Sequence, residues 1–202
     1  GTYTINENGD FSGNLKIASQ GSQYASKSRV ETFQPHEKEK HYKDYWGNIN
    51  NLKLGKITFT NDKENVRFTE DVQISAVNYG TLSGNKMMFV IDAFNQYTGN
   101  VKRMRSRKNP FQIQRGYLDT DEIEINLPAG FSIEFLPQNF ELKGKFGEYK
   151  TEIIKKENNK LLYKRSIFVN KGKYSNKEYD EYRLFIEQVS RNDNAKIILT
   201  KN

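Results

Sequence analysis

Residues 127–202 read LPAGFSIEFLPQNFELKGKFGEYKTEIIKKENNKLLYKRSIFVNKGKYSNKEYDEYRLFIEQVSRNDNAKIILTKN, and the periodicity of this stretch decides what kind of fold the chain adopts. Phe131, Ile133 and Phe135 alternate with Ser132 and Glu134, and Phe140 and Leu142 alternate with Glu141 and Lys143. Leu161, Tyr163, Ile167 and Val169 share one parity of a longer run. A spacing of two sends alternate side chains to opposite faces of a strand, so each run predicts a strand with one apolar face. The period then changes. Tyr179, Tyr182, Phe185, Ile186 and Val189 recur at helical intervals, and Ser175 followed by Glu178 has the spacing of a capping box. Residues 176–190 are therefore expected to be helical. Residues 195–200, short and β-branched, return as a strand.

Working outward, residues 2–5 and 11–17 flank NENGD, in which Asn8 and Gly9 favour a two-residue hairpin turn. Two adjacent helices are expected between Ser22 and Asn48. In the first, Tyr24, Ala25, Ser28 and Thr32 lie near one face; Pro35 then separates it from the second. There Tyr42, Tyr45, Trp46 and Ile49 follow helical spacing, an aromatic stripe read as core in preference to a ligand-stacking face. Residues 52–60, 66–77 and 86–91 read as strands, separated by the polar turns NDKEN and GTLSGN. No helical period interrupts them, which favours antiparallel pairing. The fold class expected is α+β, with mostly antiparallel, sandwich-like sheets and about three helices. The polar segment NQYTGN, residues 95–100, is the expected boundary. Before it, residues 1–96 hold the hairpin, two helices and antiparallel strands; after it, residues 97–202 are β-rich with a C-terminal helix and final strand. The core should contain Leu15, Ile17, Trp46, Ile74, Phe89, Phe135, Tyr163, Ile167, Phe185 and Leu199.

A chain of 202 residues with 13 Phe and 12 Tyr can bury a core without staples, although its apolar fraction is 35%. No apolar run is long enough to cross a bilayer as a helix. The absence of cysteine excludes disulfides, thiolate metal sites and a cysteine nucleophile. A net charge of +7 favours acidic partners through long-range attraction. Gly1 is not an initiator residue, as expected of an excised or processed fragment.

The sharpest local feature is VKRMRSRKNPFQIQR, which holds Lys102, Arg103, Arg105, Arg107, Lys108 and Arg115 without an acidic residue. Beside Phe111 and Tyr117 these six form a candidate anion-contact patch, for phosphates or for an anionic glycan or lipid headgroup. On an edge strand over residues 101–108 the same charges would simply discourage aggregation. That solvated edge is the favoured reading, and no specific nucleic-acid binding is expected, since RNP aromatics, GXXG and finger spacings are missing. Asp119, Asp121, Glu122 and Glu124 cluster in DTDEIEIN, but the run turns directly into the alternating residues Ile123, Ile125 and Leu127 instead of a calcium loop. His36 and His41, five residues apart, miss the spacing of a helical zinc pair. Ser83 in GTLSG misses the nucleophile elbow by one position and reads as a loop serine. No catalytic, cofactor-binding or metal-ligating residue is assigned.

The blocks LPAGF, FLPQNFELKGKFGEY and LLYKRSIFVNKGKYSNKEYDEYRLFIEQVSRNDNAKIILTKN resemble the C-terminal region of transglutaminase-like proteins of Bacteroidetes. The pieces GDFSGNLKIASQGSQYASKSRVE and NPFQIQRGYLDTDEIEINLPAGF extend that likeness over nearly the whole chain. In the family, a β-rich N-terminal domain of unknown function precedes a papain-like transglutaminase core, and a region like this one comes last. The core's Cys nucleophile has no counterpart here, so no catalytic residue carries over. The resemblance implies a non-catalytic accessory domain of an exported, peptidase-like protein, with the core of the same polypeptide as partner and an extracytoplasmic location in the periplasm or at the cell surface. The alternative is a freestanding binding module for an anionic polysaccharide or surface component. An apolar patch able to dock a domain would favour the first; a concave, ring-lined basic groove would favour the second.

Overall fold

A computed structural model of the chain describes residues 1–97, 99 and 101–202. Strands β1 (Thr2–Ile5) and β2 (Phe11–Gln20) form the first hairpin. Its turn is a wider loop over residues 6–10, because Asn6 Oδ1 accepts from the N–H groups of Asn8 and Asp10 and organises the whole segment; Gly9 supplies the positive φ, +79°. The first of the two expected helices is broken: 3₁₀ turns at Gly21–Gln23 and Ser28–Thr32 flank a single α-helical turn, α1 (Tyr24–Lys27). Val30 is the buried residue of this run, so little apolar area holds a regular helix together. Helix α2 (Pro35–Tyr45) is regular. Pro35 sits in its first turn and Gln34 with Glu37 closes a capping box.

Strands β3 (Lys53–Asp62), β4 (Arg67–Ala76), β5 (Thr81–Ser83) and β6 (Lys86–Val90) follow. After an irregular segment come β7 (Phe111–Ile113), β8 (Tyr117–Asn126), β9 (Phe131–Phe135), β10 (Phe140–Gly144), β11 (Gly147–Lys156), β12 (Lys160–Val169) and β13 (Gly172–Tyr174). A 3₁₀ turn (Asn176–Glu178), capped by Ser175 and Glu178, leads into helix α3 (Tyr179–Asp193), and strand β14 (Lys196–Lys201) closes the chain. An eight-stranded sheet runs β10-β11-β12-β8-β1-β2-β4-β3, a four-stranded sheet runs β5-β6-β14-β9, and β7 pairs with β13. Among the described residues, β1–β8 is the one parallel pair. The fold is thus α+β and mostly antiparallel. In both larger sheets, strands from residues 1–96 are hydrogen-bonded to strands from residues 97–202. The boundary expected at residues 95–100 includes Thr98 and Asn100, which lie outside the described residues.

Among the described residues, two apolar clusters fill the interior. The larger joins Tyr3, Ile5 and Phe11 to Trp46, Phe68, Phe89, Leu161, Tyr163 and Leu199; the smaller joins Phe146, Tyr149, Ile167 and Val169 to Phe185, Ile186 and Val189 of α3. Of the expected core, Ile17 is only partly buried and Phe135 is exposed, at 51%. A bulge explains Phe135: β14 pairs Leu199 with Ile133 but Ile198 with Phe135, so Glu134 is the extra residue and the parity flips behind it. In the aromatic stripe, Tyr42, Trp46 and Ile49 are buried as expected, whereas Tyr45 is exposed. Ser83 ends strand β5 and is not a loop residue.

Candidate functional site: a buried ion cluster beside a slot in the sheet

Strand β12 lays Leu161, Tyr163, Arg165, Ile167 and Val169 on one face. The first two belong to the larger apolar cluster and the last two to the smaller, so the Arg165 guanidinium is buried at the seam between them. It survives there because carboxylates meet it from three elements. Arg165 Nε and Nη2 donate to the two oxygens of Asp193, at the end of α3, at 2.7 and 2.8 Å. Nη1 donates to Asp121 Oδ2 on β8 at 3.2 Å, and Nε lies 3.4 Å from Asp92 Oδ2 in the segment after β6. Asp193 also accepts from the Tyr149 hydroxyl at 2.6 Å and from the Tyr97 N–H at 2.9 Å. The bidentate fork is the strong arrangement for such a pair.

Burial works against the Arg165 charge, and the Asp193 hydrogen bond with the Asp193, Asp92 and Asp121 charges outweighs it, holding its pKa above the ordinary arginine value. The carboxylates do not all benefit equally. Burial pushes Asp92 up to about 7, against the pull of Arg165, and the neighbouring Asp193 and Asp121 charges push the same way. Its Oδ1 accepts from the N–H groups of Phe94 and Asn95, while Oδ2 has no hydrogen-bond partner among the described residues. Burial likewise raises Asp121, which Arg165 and the Asn95 amide hold in place.

Asp121 and Asn95 connect this cluster to a cleft of about 550 Å³. Its two long walls are consecutive residues of the strands on either side of β1, Leu15 to Gln20 on β2 and Leu118 to Ile123 on β8. Consecutive residues point to opposite faces of a sheet, so both parities can line one cavity only where the strand edges themselves are open. The sheet topology gives the cause. β1 lies between β2 and β8, but its pairing stops at Thr2, opposite Asn14 and Glu124. Lys27, Gln23 and Tyr45 line the same cleft. Gln23 Nε2 donates to Asp119 Oδ1 at 2.7 Å, and Lys27 Nζ lies 3.9 Å from the Tyr45 ring centre. Burial lowers the Lys27 pKa, opposed by the Glu70 and Asp119 charges.

The basic stretch lies elsewhere, on no edge strand: residues 101–110 are irregular. Lys102, Arg103, Arg105, Lys108 and Arg115 are exposed, while Arg107 folds back. It donates to the carbonyls of Asn109 and Pro110, at 3.0 and 3.3 Å, and lies 4.5 Å from the Tyr179 ring centre. The acids of β8 split by parity: Asp119 and Asp121 face the cleft, whereas Glu122 and Glu124 pair with Lys164 and Lys160 on the other face. His36 is exposed and His41 packs edge-on against Phe33 and Tyr42. The sequence reading missed Arg165, Asp92 and Asp193. The signals were a cation on the apolar parity of residues 161–169, and an acid four residues after Val189 on the apolar face of α3.

Residues 85–199 match the family described as "Domain of Unknown Function with solved-structure structure" (DUF3858), more than half of the chain. The chain belongs to DUF3858. Comparison with curated proteins and with solved structures gave no match. The DUF3858 match contains every member of the ion cluster, Asp92, Asp121, Tyr149, Arg165 and Asp193, and the whole basic stretch. One wall of the cleft, β8, lies inside the DUF3858 match; the other, β2 with Lys27 and Tyr45, lies before it.

Proposed function

We propose that the chain is a non-catalytic accessory domain of a longer, exported transglutaminase-like polypeptide of Bacteroidetes type, packing on its peptidase-like core in the periplasm or at the cell surface. The observation that carries this reading is an apolar row on the outer face of the four-stranded sheet. Phe135, Ile198 and Met88 are lateral neighbours across β9, β14 and β6, and Phe135 and Met88 are 51% and 37% exposed. Such a row is the kind of surface one domain offers another. Arg165 and its three carboxylates are buried against one another, which suits a structural pin better than an acid or base serving a substrate.

The rival reading, a module for an anionic polysaccharide, has less support. The cleft between β2 and β8 is lined by Asp119 and Asp121 with Lys27, and the exposed arginines of the basic stretch sit on a loop outside it. A basic cluster on an exposed loop outside that cleft favours weak, salt-sensitive attraction over specific recognition of glycan or nucleic acid.

The polypeptide encoded directly before Gly1 is expected to contain a transglutaminase-like core with Cys and His; an unrelated domain there would overturn the reading. The purified chain, which has no cysteine, is expected to turn over neither a glutamine-donor nor a peptide substrate. Measurable turnover that co-purifies with the chain through successive columns would refute the accessory role.

A further inference from the structure

Resting on the reading that this chain works as one part of a longer polypeptide, we propose that the slot between β2 and β8 receives an extended segment of that polypeptide, collinear with β1 and joined to Gly1. The slot has the width of one strand, because β1 itself occupies its continuation. Beyond Thr2, strand β2 runs on to Gln20 and β8 runs back to Tyr117, and among the described residues no strand pairs with either on this edge. Two facing rows of backbone donors and acceptors are a template for a further strand.

The ladder already begun at Gly1 sets direction and register. Gly1 N donates to the Glu122 carbonyl at 2.8 Å, and the Gly1 carbonyl accepts from the Glu124 N–H at 2.9 Å. Continued with a period of two, this parallel ladder brings the Glu122 and Thr120 N–H groups and the Thr120 and Leu118 carbonyls to the incoming strand. On the other side Thr2 and Thr4 stand opposite Asn14 and Ser12, so the backbone groups of Lys16, Ala18 and Gln20 come next. A strand antiparallel to β2 and parallel to β8 satisfies both rows at once, and a strand of the opposite direction does not continue the register of β1.

Side-chain alternation narrows the occupant further. The residue joined to Gly1 points outward, as Thr2 and Thr4 do; the one before it points inward, as Tyr3 and Ile5 do, between Ile17 and Asp121. The next inward position falls between Ser19 and Asp119, beside Gln23 and Lys27. Each inward place has an acid beside it, Asp121 across from Ile17 and Asp119 across from Ser19, so hydroxyl or cationic side chains suit them. A backbone amide at the place of the Gly1 amino group keeps the bond to Glu122 and avoids desolvating an ammonium, whose pKa burial already lowers.

The test compares three forms of the full chain by residue-resolved hydrogen exchange. One carries Ser-Thr-Lys-Val-Thr-Val directly before Gly1; one carries Gly-Pro-Gly-Pro-Gly-Pro, which lacks the N–H groups aimed at β2; the third is unextended, with the first peptide added free. The strand-forming extension is expected to slow exchange at Lys16, Ala18, Thr120 and Glu122 by roughly tenfold or more, with the proline extension and the free peptide leaving them unchanged. Equal rates in all three forms would overturn the proposal, and equal protection by micromolar free peptide would replace it with a partner's strand bound in trans. An unprotected slot in a chain whose parent does carry the core sinks strand insertion and leaves the accessory reading standing. Protection in a chain whose parent lacks that core does the opposite.

Discussion

Arg165 is the residue on which the two apolar clusters turn, and its surroundings hold more negative charge than it can neutralise: Asp92, Asp121 and Asp193 against a single guanidinium. The strain falls on Asp92, raised to about 7 from an ordinary 3.8 by burial. A carboxyl whose pKa is raised on folding contributes stability that is complete below its unfolded value and is lost as pH rises through the folded one. Asp121 and Glu70, both raised by burial, act in the same direction. Stability is therefore expected to fall between about pH 4 and pH 7, by about 4 kcal/mol at most from Asp92 at ~1.4 kcal/mol per pKa unit. Below about pH 4 the order reverses, because Glu178, held near 2 by its bond to Lys145, and Glu39 beside Lys43 lose their partners on protonation. Urea melts across pH 2 to 9 check this: Asp92→Asn should flatten the descent above about pH 4 without altering the acid limb. The absolute stability of the variant is not the readout, since an amide replaces the carboxylate facing Arg165. An unchanged slope would show that Asp92 is ionised throughout.

At the scale of elements, the irregular segment before β7 is held by backbone contacts to the start of α3. Asn176 Nδ2 donates to the Arg107 carbonyl and the Tyr179 hydroxyl to the Lys102 carbonyl, both at 2.9 Å. Arg107→Ala removes the contact over Tyr179 and two carbonyl partners, with an expected loss of ~1–2 kcal/mol. Arg103→Ala with Arg105→Ala, both exposed, should stay within about 0.5 kcal/mol in the same urea melts. A larger loss in the double variant would mean that the exposed arginines also hold the segment. From sequence the six cations look alike, because what separates Arg107 from the others is a ring 72 positions later in the chain. The same distinction runs through the fold. Alternation located β12, and the Ser175 and Glu178 pair located α3, since strand parity and capping are local in sequence. The flip of Phe135 depends on where β14 pairs, and the β1–β8 pairing joins segments far apart in sequence. Arg165 was legible only as a violation, a cation on an apolar parity, and its three partners lie on other elements.

For the whole molecule, the DUF3858 match starts at residue 85, in the turn between β5 and β6, and so leaves β1 to β5, α1 and α2 outside it. Sheet order argues that this boundary does not mark an independent folding unit. Without residues 1–84, β8 loses β1, β6 loses β5, and the larger apolar cluster loses Tyr3, Ile5, Phe11, Trp46, Phe68 and Ile74 from one side. Several large core side chains removed together, at ~2–5 kcal/mol each, exceed the ~5–15 kcal/mol that stabilises a typical domain. The smaller cluster, with β11, β12 and α3, keeps its own members, and the ion cluster keeps Arg165 and all three acids. Residues 85–202 expressed alone are therefore expected to retain strand and helix signals in far-ultraviolet circular dichroism and to lose near-ultraviolet tyrosine signals and a cooperative melt. The 202-residue chain should show both. A sharp, reversible transition in the shorter protein, with dispersed amide resonances for β8 and β14, would mean that the smaller cluster suffices to fold the matched region and that β1 to β5 were added to a finished domain.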